Sequence, residues 1–116
     1  MKGDHIGEFE ELILLTVAIL HGEAYGVAIK HALKEHAGRT VSISAVHAAL
    51  DRLDRKGFLK SWVGGATTER GGRRKRFFEL TNAGTAALAA RRETRESLWD
   101  LLRDAAPELS IEGRPS

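Results

Sequence analysis

The chain has 116 residues, 42% of them hydrophobic, which suits one domain whose small core a second subunit could complete. It has no cysteine, no segment resembling a signal peptide and no apolar run long enough to span a bilayer; a soluble, cytoplasmic protein is therefore expected, without disulfides and without a membrane partner. The net charge is only +2, but residues 51–76 carry nine Lys or Arg and three Asp or Glu, a concentration typical of proteins that bind a polyanion.

The first predicted helix is broadly apolar. It follows a loose arm of residues 1–6, opens with acidic side chains that suit the positive end of a helix dipole, and ends at Gly22. Apolar residues occur on most of its sides, so its own domain or a second subunit should cover it. Phe9 and Leu12 are assigned to a dimer interface on this basis.

Two further helices are predicted close together. One runs from about Tyr25 to His36 and stops at Gly38. The next has Ser42 as an N-cap and Gly57 as the left-handed residue after its C-terminus. Its apolar residues share one face at helical spacing. Two helices joined by so short a turn match a helix-turn-helix.

The opposite face of the third helix begins with small and hydrogen-bonding residues and ends with cations. This layout suits a helix that enters the DNA major groove by its N-terminal half, although an amphipathic surface helix is the alternative. The DNA-contact candidates on this helix are Ser42, Ser44, His47, Ala48, Arg52 and Arg55. For His47 a plain surface histidine remains equally open. Tyr25 is a weaker candidate for a phosphate contact.

A hairpin is predicted next, because residues 58–63 and 75–80 are rich in β-formers and flank a glycine-rich loop. A hairpin directly after a helix-turn-helix is the wing of a winged helix. The loop tip and the second strand carry five cations, Arg70 and residues 73–76, which could reach phosphates or the minor groove. The alternative is a loop that charge keeps soluble. The wing candidates for DNA contact are Arg73, Arg74 and Lys75.

A last helix is predicted over residues 83–105, followed by a flexible tail, residues 106–116. Few residues of the same domain remain to bury the apolar side of this helix. Pairing with a second subunit is therefore preferred over packing within the chain. The seam residues are Leu88, Arg95, Leu98, Trp99 and Leu102. Trp99 and Arg95 are also candidates for binding a flat, aromatic, partly anionic effector. The alternative is that Trp99 only anchors the dimer.

Catalytic chemistry has no candidate residues. The chain contains no P-loop, no GxGxxG and no GxSxG segment, and His31 and His36 are spaced wrongly for a metal pair on one helical face. An enzyme is not expected, and neither a cofactor nor a metal is needed.

Several segments together resemble the PadR-like transcriptional regulators: AYGVAI (residues 24–29), ALDRL (49–53), KGFL (56–59) and GRRKRFFELT (72–81). The resemblance covers about residues 8–105. It implies an α+β, mostly helical winged helix in the order α-α-α-β-β-α, with the DNA-binding domain over residues 7–82 and a dimerisation helix over 83–105. It also implies binding of double-stranded operator DNA, usually as a repressor, and that small molecules can be sensed.

One departure affects base preference. Where the family often has Thr-Leu-Tyr-Pro, this chain has residues 45–48, AVHA, so His47 replaces the usual tyrosine. With two subunits, a roughly palindromic operator is expected. The rival interpretation is a winged helix used only for contact with other proteins.

Overall fold

The computed structural model describes residues 5–64 and 74–109; Arg73, most of the hairpin loop and the end of the predicted tail lie outside these ranges. The described elements are α1 (Glu8–Ile19), α2 (Gly26–Ala37), α3 (Ile43–Arg55), β1 (Leu59–Gly64), β2 (Lys75–Leu80) and α4 (Asn82–Ala105). β1 and β2 are antiparallel neighbours. This order confirms the predicted mostly helical winged helix.

The ends of α2 and α3 follow from local backbone chemistry. The Ser42 hydroxyl accepts a hydrogen bond from the Ala45 N–H at 3.0 Å and caps α3. Gly38 ends α2 with φ of +65°, and Gly57 follows α3 with φ of +83°, a region in which a Cβ is strained. These residues were the predicted boundaries.

A single core lies under the three N-terminal helices and one face of the sheet. α1 contributes Ile13, Leu14 and Val17, α2 contributes Ile29 and Leu33, and α3 contributes Val46, Ala49, Leu50 and Leu53. Leu59 and Phe78 close it from the strands. Ile6, which the sequence assigned to a loose arm, is only 2% exposed and belongs to this core. Within the described residues, the arm is therefore packed from Ile6 onward.

The other face of the sheet carries an aromatic row. Trp62 and Phe77 are cross-strand partners and stack with ring centroids 5.8 Å apart. The Tyr25 ring meets Phe77 edge-on at 5.6 Å, and the Phe78 N–H donates to the Ala24 carbonyl at 2.9 Å. The start of α2 is therefore attached to the outer edge of β2. Trp62 therefore has a packing role on this face.

α4 starts on the domain and then leaves it. The Thr81 hydroxyl accepts from the Gly84 N–H at 3.1 Å and donates to the Gly57 carbonyl at 2.6 Å. Gly84 is the buried residue of α4, and Ala87 and Leu88 pack against the core. Beyond Arg91 the helix is exposed, apart from half-buried Leu102. The molecule is accordingly elongated, with principal extents of 61, 35 and 21 Å.

Candidate nucleic-acid interface

α3 meets a different neighbour on each flank of its buried face. On the α1 flank, Arg52 Nε donates to Glu10 at 3.0 Å and Lys56 Nζ donates to Glu10 at 3.1 Å. Arg52 was predicted to contact DNA, but its guanidinium is held against α1. Its position makes it a weaker DNA candidate than the sequence indicated, because helical period cannot reveal a partner on another helix.

On the wing flank, α3 is joined to β2 by Arg76. Arg76 Nη2 donates to Asp54 at 2.7 Å, and Nη1 donates to Asp51 at 3.4 Å. Arg76 belongs to the predicted basic run of the hairpin. Its guanidinium nevertheless faces carboxylates, so the basic run offers fewer cations to a ligand than its composition suggests.

Between these flanks, α3 presents an exposed strip: Ser44, Ala48, Asp51 and Arg55. Positions 44, 48, 51 and 55 share one helical face, directly opposite the core face. The Ser42 and Ser44 hydroxyls lie 3.2 Å apart at the N-terminal end of this exposed strip. The small side chains permit close approach, the hydroxyls can hydrogen-bond, and Arg55 supplies a cation at the far end.

His47 lies beside the exposed strip, toward α2. A Cβ added at Gly26 would lie 2.6 Å from His47 Cε1, so the imidazole sits directly on the first residue of α2. Tyr25 immediately precedes that residue, and Lys75 Nζ lies 4.3 Å from the centre of the Tyr25 ring. Three predicted DNA contacts, Tyr25, His47 and Lys75, therefore converge at the start of α2. Arg74 is exposed at the base of the wing.

Five of the seven predicted dimer residues divide into two groups; of the others, Leu102 is half-buried and Arg95 pairs with Glu11. Leu98 and Trp99 are 61% and 43% exposed, which is a large apolar exposure for one helix. Phe9, Leu12 and Leu88 instead pack against the core of their own chain. On α1, the large apolar residues that are exposed are Leu15 and Ile19. Leu15 and Trp99 line one groove between α1 and α4, whereas Leu98 lines a separate groove with Ile6 and Phe58.

A groove between α1 and α4 contains the predicted effector residues. Its volume is about 550 Å³, and its lining includes Leu15, Leu88, Arg95 and Trp99. Arg95 donates to Glu11 at 3.2 Å, so its charge is already partly satisfied. The groove offers an aromatic ring and a cation at one wall.

Two carboxylates of α1 are buried and paired with cations, which the sequence did not predict. Glu10 and Glu11 are each 7% exposed. Burial alone would raise the pKa of Glu10, but hydrogen bonds from the Gly7 N–H, Arg52 and Lys56 outweigh it and hold the pKa below its usual value. Burial likewise opposes ionisation of Glu11, yet Arg95 and Arg91 lower its pKa. Acidic residues at a helix start signal only the helix dipole, so nothing in the sequence indicated these pairs.

These features define a winged helix-turn-helix whose second helix presents an open strip beside a basic wing. A family profile described as "Transcriptional regulator PadR-like family" matches residues 14–90, and the chain belongs to this family of transcription regulators. No curated protein gives a significant match. Among the elements that the structure describes, none is a helix long and apolar enough to cross a membrane.

Solved structures with the same fold come from several bacteria. A PadR-like transcription factor from Bacteroides fragilis is 26% identical, with a TM-score of 0.68, over 84% of this chain and 89% of that one. A PadR family regulator from Clostridium difficile R20291 is 24% identical, with a TM-score of 0.65, over 84% and 97%. Bacillus subtilis PadR in complex with operator DNA is 22% identical, with a TM-score of 0.57, over 71% of this chain and 45% of that protein.

Proposed function

We propose that this transcription regulator binds operator DNA as a homodimer and acts as a repressor. The observation that carries the proposal is the exposed strip of α3 with small residues at its N-terminal end and Arg55 at the other. In helix-turn-helix proteins the second helix enters the major groove by its N-terminal residues. Ser42, Ser44 and Ala48 would then approach base edges, and Arg55 a phosphate.

The wing and the start of α2 would position this helix on the duplex. Arg74 and Lys75 are exposed at the base of the wing, and Tyr25 lies under Lys75. Phosphate contacts fix register without reading sequence. The Bacillus subtilis neighbour was solved with operator DNA, which supports the same use of the fold here. A regulator that binds DNA must have access to the chromosome, which agrees with the expected cytoplasmic location.

A second copy of this chain is the proposed partner of α4. Leu98 and Trp99 are large apolar residues exposed on α4, and Leu15, exposed on α1, lines the groove that contains Trp99. Two-fold pairing through α4 would bury these residues and hold the two α3 helices at a fixed distance from each other. Half-sites would then lie about 34–36 Å apart, or a multiple of this, in a roughly palindromic operator.

A small-molecule effector would fit the groove beside Trp99. A planar aromatic anion could stack on the indole and pair with Arg95, whose guanidinium is half-exposed. Release from DNA would require that the ligand prefer one arrangement of the two subunits over the other.

Titration with planar aromatic acids should quench the tryptophan fluorescence of Trp62→Phe and not that of Trp99→Phe. Equal quenching in both variants would leave Trp99 as a dimer anchor only.

The direct test is to select duplexes from a random DNA pool with the purified protein and measure their affinity against salt. Enrichment of a palindromic sequence, with affinity that falls as salt rises, is the expected result.

Replacing Arg73 and Arg74 by Ala should weaken the affinity for all DNA sequences similarly and reduce the salt slope by about one to two. If no sequence is enriched, DNA reading is excluded and the winged helix serves protein contact instead.

A further inference from the structure

Arg76 is surrounded by acceptors from two elements. Its Nη2 and Nη1 donate to Asp54 and Asp51 of α3, at 2.7 and 3.4 Å. Its Nε donates to the Ser61 hydroxyl of β1 at 3.1 Å. Its guanidinium carbon lies 4.9 Å from the centre of the Phe78 ring, which is buried in the core. Every nitrogen of the guanidinium therefore has a partner on the wing or on α3.

This arrangement differs from that of a phosphate-binding arginine. A phosphate would have to compete with two carboxylates for the same planar fork, and the pair with Asp54, at 2.7 Å, has the length of a strong charge-assisted hydrogen bond. Asp51 belongs to the exposed strip of α3, where an unpaired carboxylate would repel DNA. Arg76 thus neutralises the acidic side of that strip and ties it to β2.

We propose that Arg76 is a positioning residue that fixes the wing against α3, so that both DNA contacts of one subunit can form together. The inference rests on the proposed function. With the link in place, the wing cations are held at one distance from the helix in the major groove. Without it, the base of the wing is held only by the core and by the start of α2, and any freedom that the wing gains must be lost on binding, which costs affinity. The cost falls mainly on the specific complex, in which both contacts are made at once.

The test uses a variant that removes the link, keeps the net charge and leaves no unpaired carboxylate on the exposed strip: Arg76→Gln combined with Asp51→Asn. Its matched control is Arg74→Gln, which removes an exposed wing cation. Arg76→Lys retains one charge and can pair with one carboxylate. The probes are the duplex selected by the wild-type chain and a scrambled duplex of the same composition, each titrated at several salt concentrations. Thermal unfolding of each variant reports whether the domain is intact.

The double variant should bind the selected duplex about three- to tenfold more weakly, a loss typical of ordering one or two side chains. Its affinity for the scrambled duplex and its salt slope should match wild type. Arg74→Gln should weaken both duplexes and lower the slope by about one. Arg76→Lys should recover part of the discrimination.

Two results would overturn the inference while leaving the proposed function intact. One is a slope loss of about one in the double variant that Arg76→Lys does not show, which would make Arg76 an ordinary phosphate contact. The other is an equal loss on both duplexes with a lowered unfolding temperature, which would make its role structural. If the wild-type chain itself selects no duplex, the proposed function fails, and the inference fails with it.

Discussion

Acid should loosen this fold through Glu10 and Glu11. Their lowered pKa values mean that ionisation contributes stability above the ordinary glutamate pKa of 4.5, and that this contribution is lost as the pH falls through the lower folded-state values. We therefore expect the unfolding free energy to be insensitive to these groups near pH 7 and to decrease below about pH 4.5. Urea unfolding at a series of pH values measures this dependence.

The matching variant is Glu11→Gln, because it leaves Arg91 and Arg95 without a charged acceptor. We expect a loss of about 1–3 kcal/mol at pH 7, in the range for hydrogen bonds to charged groups. The difference from wild type should shrink in acid, where the wild-type carboxylate is also neutral. Glu93→Gln, an exposed change on α4, is the control and should alter little. A constant difference at all pH values would contradict the role given to Glu11.

Two glycines should respond differently to alanine. At Gly84 a Cβ would lie 2.2 Å from the Phe58 carbonyl oxygen, which is backbone and cannot turn away. Gly84→Ala should cost about 1–3 kcal/mol of unfolding free energy, although alanine normally stabilises a helix by about 1 kcal/mol. At Gly26 the close atom belongs to the His47 ring, which can rotate. Gly26→Ala should therefore change DNA sequence preference more than stability, and a larger stability loss at Gly26 than at Gly84 would refute this.

The sequence could not show which cations are available to a ligand. Arg52 was predicted to contact DNA, Arg76 belonged to the basic run of the hairpin, and Arg95 was assigned to the dimer seam and the effector site. Each of them pairs with a carboxylate on another element. Their partners are 42, 22 and 84 residues away along the chain. Helical period places a side chain on a face of its own element, but only packing between elements decides what that face meets.

Among the elements, α3 was predictable in its ends and its faces. Ser42 and Gly57 act through bonds and dihedral angles within a few residues, so local sequence determines them. The residues of the exposed strip follow from 3.6 residues per turn. What the period could not give is the division of the polar side into an α1 flank, an exposed strip and a wing flank.

This division makes a prediction about α3. Ser44 lies on the exposed strip and His47 lies beside it. Ser44→Ala and His47→Ala should therefore each change the relative affinity among operator variants by about 1–3 kcal/mol if a base contact is lost. Arg52→Gln should change it least, because that side chain is held by Glu10. Competition binding with a set of single-base operator variants measures the effect. Equal losses on selected and scrambled DNA would mean that Ser44 and His47 touch only the backbone.

For the whole molecule, the free end of α4 predicts its oligomeric state. A charge placed in a buried apolar seam is costly without a partner, so Leu98→Glu should shift the chain from dimer to monomer at micromolar concentration. Val63→Glu is the control, since Val63 is similarly exposed but lies on the wing. Sedimentation measures both variants. A wild-type chain that stays monomeric and still binds DNA tightly would remove the dimer from the proposal.

The adjacency of Glu10 and Glu11 has a mechanical consequence. Successive side chains on a helix point in directions about 100° apart, so two neighbouring residues can contact two different elements. Glu10 holds α3 through Arg52 and Lys56, and Glu11 holds α4 through Arg91 and Arg95. One peptide unit of α1 therefore joins the ion pairs that hold α3 to the ion pairs that hold α4. In the proposed dimer, this is the direct route by which a displacement of α4 would move α3.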